Sequence, residues 1–297
     1  MPDNQALGLL VQAVLERQLF FVAGQGKSGT TWLELILDAH PDVCCHGEGH
    51  FADRLLPEIG EATQRYNAYL KHNNAVFEEI RDYQGLSRDH AWHIGRIAMA
   101  LLLAQQCVGE LPAAIGERTP ANVANLQLLH QLFPQAKLIH ITRDPRDVAV
   151  SMWFHGLRLN PEQTRKEYVS PDDLAVKMAG LWVESINATR QFAASCPEQY
   201  LEVKYESLQQ DFAAALRPLL TALGVDADDE TIEDCREQAG FGKLTGGRER
   251  GIEDRQSHFR KGVVGDWKNH LKPATVNRID EIAGDQLAEQ LAGWSRE

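Results

Sequence analysis

Short apolar segments and longer stretches with a helical period alternate along this chain. The segments 19–23, 137–142 and 200–205 have the length and composition of buried strands. The first two are each followed by a turn and then by a helical pattern. Repeated strand, loop and helix units predict an α/β fold in which a parallel central β-sheet carries helices on both faces.

Helical periodicity covers much of the remaining chain. The predicted helices are 7–17, 30–39, 145–155, most of 61–109, 172–196 and 209–224. The segment 240–265 differs, because it carries seven glycines among many charged residues and shows little periodicity. So long an irregular run is typical of a functional loop. We expect one domain over 1–297, with a mobile loop at about 240–265 that covers a ligand.

Composition and charge argue against two classes of partner. The 297 residues carry a formal net charge of −12, with 43% hydrophobic and 24% charged residues, as in an ordinary globular protein. A net negative charge repels nucleic acids and anionic membranes at long range, so neither partner is expected. The apolar stretch 97–104 is too short to cross a bilayer, and the first residues lack a signal-peptide pattern. These features predict a cytoplasmic protein.

The cysteines show no regular spacing. The chain contains Cys44, Cys45, Cys107, Cys196 and Cys235, with no CxxC pair among them. This pattern supports neither a structural zinc site nor a disulfide framework, so all five are interpreted as small buried hydrophobic residues. Adjacent Cys44 and Cys45 are expected to point to opposite faces of a strand.

A glycine-containing loop at 24–32 lies between the first predicted strand and the helix that follows it. Backbone N–H groups and a helix N-terminus in this position bind anions well. Lys27 adds a positive charge, and Ser28, Thr30 and Thr31 add hydroxyl donors. The nucleoside-triphosphate pattern GxxxxGK[ST] would require glycine at position 21, where Phe21 stands, so a kinase or GTPase is disfavoured. Taken alone, the loop could also be an ordinary turn.

Three segments in a fixed order carry a resemblance to one family. Residues 27–32, 143–151 and 260–269 resemble the 5′-phosphosulfate loop, the 3′-phosphate motif and the C-terminal glycine-containing signature of sulfotransferases that use 3′-phosphoadenosine 5′-phosphosulfate (PAPS). The chain resembles bacterial members, with features of both the cytosolic small-molecule and the carbohydrate branches. The resemblance implies the P-loop-like sulfotransferase fold, PAPS as co-substrate and 3′-phosphoadenosine 5′-phosphate (PAP) as product.

The resemblance also implies which residues bind the nucleotide. Those in the first loop are Gln25, Gly26, Lys27, Ser28, Gly29, Thr30, Thr31 and Trp32. Those at the 3′-phosphate are Arg143, Ser151, Arg260, Lys261 and Gly262. Those expected around the adenine and the remaining cofactor site are Trp32, Tyr205, Phe241 and Phe259. Without the family, the aromatic residues could belong to the core, and the basic pair at 260–261 could be solvated.

Sulfuryl transfer requires stabilisation of the leaving phosphate and a base for the acceptor proton. Lys27 is the expected stabiliser, and with the loop amides it makes a metal unnecessary. Glu48 follows a second predicted strand and resembles the base of the bacterial and carbohydrate branches, although it could be a surface carboxylate between glycines. The histidine base of the small-molecule branch is missing at 116–120, where Arg118 becomes the expected active-site cation. The alternative bases are His46, His50 and His155.

The acceptor is expected to be a small molecule or glycoside that offers a hydroxyl, or else an amine. No readable motif lies in the segments that would shape its site. A family dimerisation pattern is not reproduced at 272–276, so the oligomeric state stays open. Two rival functions are a P-loop small-molecule kinase, which would need a triphosphate loop and an aspartate for magnesium, and a nucleotide-binding protein without catalysis.

Overall fold

A sheet of five parallel strands forms the centre of the protein. The computed structural model describes residues 4–75 and 83–292. The strands are β1 (Gln18–Ala23), β2 (Val43–Cys45), β3 (Ala114–Arg118), β4 (Lys137–Thr142) and β5 (Tyr200–Lys204), in the spatial order β2-β3-β1-β4-β5. The parallel sheet predicted from the apolar segments is confirmed. Strand β3 is an addition, since the sequence pattern did not predict it.

Helices precede, connect and follow the strands. They are α1 (Asn4–Leu15), α2 (Thr30–Asp38), α3 (Leu56–Asn74), α4 (Arg88–Gln106), α5 (Leu126–Leu132), α6 (Pro145–Leu159), α7 (Pro161–Glu167), α8 (Pro171–Ser195), α9 (Tyr205–Gln210), α10 (Phe212–Leu223), α11 (Asp229–Gln238), α12 (Phe241–Leu244) and α13 (Pro273–Gln290). None of the described helices is both long enough and apolar enough to span a membrane.

Several predicted boundaries differ from those observed. The helical prediction for 61–109 covers two helices, α3 and α4, and its central part, 76–82, lies outside the described residues. The helix predicted over 209–224 is interrupted at Asp211, whose carboxylate accepts a hydrogen bond from Ala214 N (3.0 Å) and so starts α10 afresh. Within the predicted irregular run, residues 241–244 form the short helix α12.

The two faces of the sheet pack into separate apolar layers. Phe20 and Val22 of β1 point into a layer with α2, α10 and α11. Leu19 and Phe21 point to the opposite face, into a layer with α1, α4 and α5. This alternation is the two-residue period of a strand, and it explains why β1 is apolar from Leu19 to Ala23. A third apolar cluster joins α6, α8 and α13.

The strand order places a crevice beyond the carboxyl ends of β1 and β4. From β1 the chain moves first to β2 and β3 on one side, and only later to β4 and β5 on the other side. Strands β1 and β4 are therefore neighbours whose following loops diverge, with Ala23 paired to His140. In open parallel sheets, ligands bind in the crevice beyond the carboxyl ends of two such strands.

Helix α6 begins at this crevice as its sequence predicts. The Asp144 carboxylate accepts a hydrogen bond from Arg146 N (2.9 Å), and Pro145 occupies the first turn. This cap fixes the start of the helix directly after β4. The side chains of Arg143 and Ser151 are thereby placed beside the loop that follows β1.

Candidate active site

A cavity of about 310 Å³ lies beyond the carboxyl ends of β1 and β4. The predicted residues that line it are Gly26, Lys27, Gly29, Thr30, Thr31, Trp32, Glu48, Arg118, Arg143, Ser151, Tyr205, Phe241, Phe259, Arg260, Lys261 and Gly262. Gln25 and Ser28 are not brought to the cavity wall. The Gln25 amide donates to Met178 O (3.3 Å), and the Ser28 side chain is buried beneath the loop.

The loop after β1 is held in an unusual backbone conformation. Gly29 has φ 103° and caps the start of α2, and a Cβ there would come within 2.6 Å of the Tyr205 ring. Lys27 has φ 75°, a value that side-chain-bearing residues adopt rarely. Such strain persists only where the surroundings enforce it, and it clusters at functional sites.

The Lys27 ammonium is surrounded by positive charge. Burial, followed by repulsion from Arg158, Arg143 and Arg118, lowers the pKa of Lys27 to about 8. Within residues 4–75 and 83–292, no carboxylate lies within 4.0 Å of its Nζ. An anion placed here would therefore find a partly desolvated cation without a competing partner.

Arg143, which directly follows β4, contacts the loop after β1. Its guanidinium donates to Lys27 O (3.3 Å) and Val263 O (3.2 Å), and it lies 4.2 Å above the centre of the Tyr205 ring. Its Nε is buried and has no hydrogen-bond partner in the described part of the chain. A buried donor without a partner indicates a missing acceptor, as a bound anion would provide.

Arg260 and Lys261 reach the cavity from the glycine-rich segment but are paired with carboxylates. Lys261 Nζ lies 2.6 Å from Asp266 Oδ1, and Arg260 forms ion pairs with Asp266 and Glu253. Although burial would raise it, the hydrogen bonds from Lys261 and Arg260 hold the pKa of Asp266 well below its usual range. Asp266 is thus a charged anchor for this segment.

Two further contacts fasten the segment to the body of the protein. The carboxylate of Asp147 on α6 accepts hydrogen bonds from Gly265 N (2.7 Å) and Trp267 N (3.0 Å). Gly262 has φ 69°, and a Cβ there would come within 2.5 Å of the Phe241 ring. Glycine is therefore required at 262 both for its backbone and for this close approach.

Three aromatic residues line the part of the cavity that lies between α2 and α12. The Trp32 indole donates to Ala239 O (2.9 Å) and meets Tyr205 edge-on at 5.3 Å between centroids. The Arg250 guanidinium lies 5.6 Å from the ring centres of both Trp32 and Phe241. The predicted adenine sandwich stays a prediction, and Arg250 would have to move to admit a base between these rings.

Glu48 and Arg118 meet at the end of the cavity near β3. Arg118 Nε donates to Glu34 Oε2 (2.7 Å), and the same guanidinium forms an ion pair with Glu48. Glu34 also accepts a hydrogen bond from Gly47 N (2.7 Å). The two carboxylates therefore compensate the charge of Arg118, and Arg118 in turn fixes the orientation of Glu48.

The histidines proposed as alternative bases separate into two groups. His155 lines the cavity, whereas His46 lies 3.3 Å from Asp38 and His50 lies 3.0 Å from Asp53, both away from its wall. Burial, followed by repulsion from Lys27, lowers the pKa of His155 to about 4. His258 faces His155 at 6.2 Å between ring centres, and its pKa is lowered to about 4 chiefly by burial as well.

Some residues at the cavity were not predicted from the sequence. They are His258 and Arg250 on the glycine-rich segment, Arg158 near the end of α6, and Gln209 on α9. The glycine-rich segment itself was predicted to cover a ligand, but no motif indicates which of its side chains turn inward. Arg158 contacts His155 Nδ1 (3.1 Å) one helical turn earlier, but no motif in the sequence marks this pair.

Comparison with known proteins decides the family. Residues 20–229 match the model described as the Sulfotransferase family. The chain belongs to the sulfotransferase family. Cytosolic sulfotransferase 3 from Arabidopsis thaliana is 30% identical over 174 residues, which make up 53% of this chain and 55% of that protein. This sulfotransferase-family chain spans about half the length of the first curated relatives that it matches.

Solved structures show the same fold. The mouse sulfotransferase SULT7A1, solved in complex with PAP, has a TM-score of 0.54 at 20% identity, covering 96% of this chain and 89% of that chain. Retinol dehydratase, solved in a complex with retinol and PAP, has a TM-score of 0.51 at 16% identity, covering 99% of this chain and 88% of that chain. The predicted family and the predicted sulfotransferase fold are both confirmed.

Proposed function

We propose that this protein transfers a sulfuryl group from PAPS to a hydroxyl, or else an amine, of a small-molecule or glycoside acceptor. One observation carries the proposal: a single cavity at the β1–β4 crevice contains the desolvated Lys27 and, beside it, a second group of cations at Arg143, Arg260 and Lys261. PAPS carries an anionic 5′-phosphosulfate and a 3′-phosphate, so it needs two such groups. The PAP complexes of the two structural neighbours support the same nucleotide.

The residues present fit this nucleotide. Lys27 lacks a carboxylate partner and Arg143 Nε lacks an acceptor, within the described residues. Both are features that an anionic ligand would satisfy. The N-terminus of α2 and the amides of the preceding loop add further donors at the Lys27 end.

Lys27 serves the chemical step through its charge. Bound PAPS supplies the sulfuryl group, whose S–O bond to the 5′-phosphate breaks as the acceptor oxygen bonds to sulfur. Lys27 stabilises the negative charge that develops on the departing phosphate, in a partly buried site where that interaction is strong. PAP leaves with the electron pair of the broken bond.

Glu48 is the proposed base. Its carboxylate lines the cavity beside Lys27 and is oriented by Arg118, so it can accept the proton that the acceptor hydroxyl loses. His155 and His258 also line the cavity, and burial lowers the pKa of each to about 4, so both imidazoles are unprotonated at neutral pH and are alternative bases. Glu48 is preferred because its position after β2 resembles that of the family's glutamate base and because Arg118 fixes its orientation.

The location, the domain organisation and the absence of other partners are part of the same proposal. We propose that the protein is cytoplasmic and forms a single domain with a mobile glycine-rich segment. We also propose that the reaction uses no metal and that the protein binds neither nucleic acid nor a membrane. The Arabidopsis relative is a cytosolic sulfotransferase, which supports the location.

Calorimetry on the purified protein tests the nucleotide assignment. We expect PAP to bind at least tenfold more tightly than ADP, because only PAP presents a 3′-phosphate to Arg143 and Arg260 (about 1.4 kcal/mol per factor of ten). Incubation with PAPS and pooled acceptors, followed by mass spectrometry, then tests for sulfated products. Equal affinity for PAP, ADP and ATP would overturn the proposal, whereas PAP binding without any sulfated product would favour the rival of a non-catalytic nucleotide-binding protein.

A further inference from the structure

A cluster of potential metal ligands lies at the edge of the sheet that carries β2. Asp38 is the last residue of α2, Cys44 lies on β2, and His46 follows that strand. Their carboxylate, sulfur and imidazole donors all lie within 4.8 Å of one another. None of these side chains lines the cavity described above.

The local structure explains why these donors converge. Residues two apart on a strand point to the same side, so Cys44 and His46 share one face while Cys45 enters the apolar layer on the other. Asp38 Oδ1 accepts a hydrogen bond from Cys45 N (3.0 Å), which fixes the carboxylate beside the strand. A hydrogen-bonded ligand carboxylate is a usual feature of protein metal sites.

The group contains one sulfur, one imidazole and one carboxylate, which come from β2, the residue after β2 and the end of α2. Cys107 is not part of it, and its thiol donates to Leu103 O (3.5 Å). The absence of a CxxC pair does not bear on such a site, because it uses a single cysteine.

We propose that Asp38, Cys44 and His46 bind one zinc ion, with water as the fourth ligand. Sulfur, nitrogen and carboxylate ligands in a tetrahedral arrangement are typical of zinc, whereas calcium and magnesium require oxygen ligands. The ion would join the end of α2 to the edge strand β2. It is independent of nucleotide use.

The ion would also stiffen one wall of the active site. Gly47 directly follows His46, and its carbonyl accepts a hydrogen bond from Arg118 N (3.1 Å), so the segment leading to Glu48 is already attached to β3. Zinc would fasten the other end of that segment. Its expected effect is on the stability of the protein, with the reaction itself proceeding through other residues.

Metal titration of the full chain tests this proposal. The protein is reduced, stripped with EDTA, and titrated with Zn²⁺ by calorimetry and with Co²⁺ by absorption spectroscopy. We expect one equivalent of each metal to bind, a near-ultraviolet thiolate-to-cobalt band, and a higher melting temperature with Zn²⁺. The absence of that cobalt band, or a stoichiometry far from one, would overturn the proposal.

Matched variants identify the ligands. His46→Gln and Cys44→Ser should each weaken zinc binding by about tenfold or more. Cys107→Ser and Cys196→Ser are the controls, because each removes a half-buried cysteine that follows a helix and lies outside the group. His46 is half exposed, so its replacement should leave the fold intact. Unchanged zinc affinity in His46→Gln would overturn the proposal, and so would a loss of affinity in either control as large as that in Cys44→Ser.

Discussion

The two segments that supply the cations of the cavity are built in opposite ways. The loop after β1 is shaped by its backbone, with positive φ values at Lys27 and Gly29, and the charge of Lys27 has no carboxylate partner in the described chain. The glycine-rich segment is held by side chains, since Arg260 and Lys261 both pair with the buried Asp266. One segment presents an uncompensated charge, while the other uses its charges to keep its shape.

This difference indicates a division of labour. Holding Lys27 in a left-handed conformation costs on the order of 1–3 kcal/mol, and the cost is offset by the packing of α2 and β1 around the loop. The result is a charge poised for a developing anion. Arg260 and Lys261, in contrast, must share any bound phosphate with Asp266, so they suit binding and closure better than stabilisation of a transition state.

The largest expected effect comes from removing the uncompensated charge. Lys27→Ala should lower kcat by about 10²–10³-fold, the range for loss of one donor to a developing oxyanion. Lys261→Ala should mainly raise the Kd for PAP, because its charge is already paired with Asp266. Steady-state kinetics with PAPS measure kcat, calorimetry measures the Kd for PAP, and Lys243→Ala, an exposed lysine on α12, is the control. Equal losses of kcat in Lys27→Ala and Lys261→Ala would contradict the proposed difference between the two segments.

A Glu48 variant tests whether the chemical step takes place at the end of the cavity that contains Lys27. Glu48→Gln keeps the size of the side chain but removes its basicity, and we expect kcat to fall by about 10²-fold with little change in PAP affinity. His258→Asn should have a smaller effect, because Glu48 is the proposed base and His258 only lines the cavity. A larger loss of kcat in His258→Asn than in Glu48→Gln would indicate that the glycine-rich segment, and not Glu48, supplies the base.

Gly262 tests how the glycine-rich segment depends on shape. Gly262→Ala adds a Cβ that would meet the Phe241 ring at 2.5 Å, so the segment and the ring must separate. We expect the Kd for PAP to rise by about tenfold, equivalent to about 1.4 kcal/mol. Gly246→Ala is a matched control, because it has φ 68° as against 69° but nothing within 4 Å of the added carbon. Isothermal calorimetry compares the two, and equal losses would show that only backbone strain matters.

The pH dependence of PAP binding should be the smallest of these effects. Lys27 has a pKa of about 8 in the free protein, and an anion binds preferentially to its charged form. PAP affinity should therefore fall as pH rises through 8, by up to about tenfold between pH 7 and 9. Lys27→Arg should flatten the profile, because guanidinium stays charged throughout. A falling profile that persists in Lys27→Arg would assign the titration to another group.

The sequence predicted the site where local chemistry was enough. Strands β1 and β4 were identified because their buried segments are short and apolar, and the loop after each was identified by its basic residue, Lys27 in the first and Arg143 in the second. It failed at β3, where Gly116, Glu117 and Arg118 do not have the composition of a strand. Those residues form a buried strand because β1 and β2 pair with it on both sides, and Glu34 compensates Arg118.

What the sequence predicted by itself was the parallel sheet, the two loops that follow β1 and β4, and the family to which their motifs belong. What only the tertiary structure decided was the strand order and which charges form ion pairs: Arg118 with Glu34, Arg260 and Lys261 with Asp266, and Lys27 with no carboxylate of the described residues, although Glu48 raises its pKa from a distance. The reason is physical. A motif is a property of neighbouring residues, whereas desolvation and ion pairing depend on residues that are distant in the chain and adjacent in space.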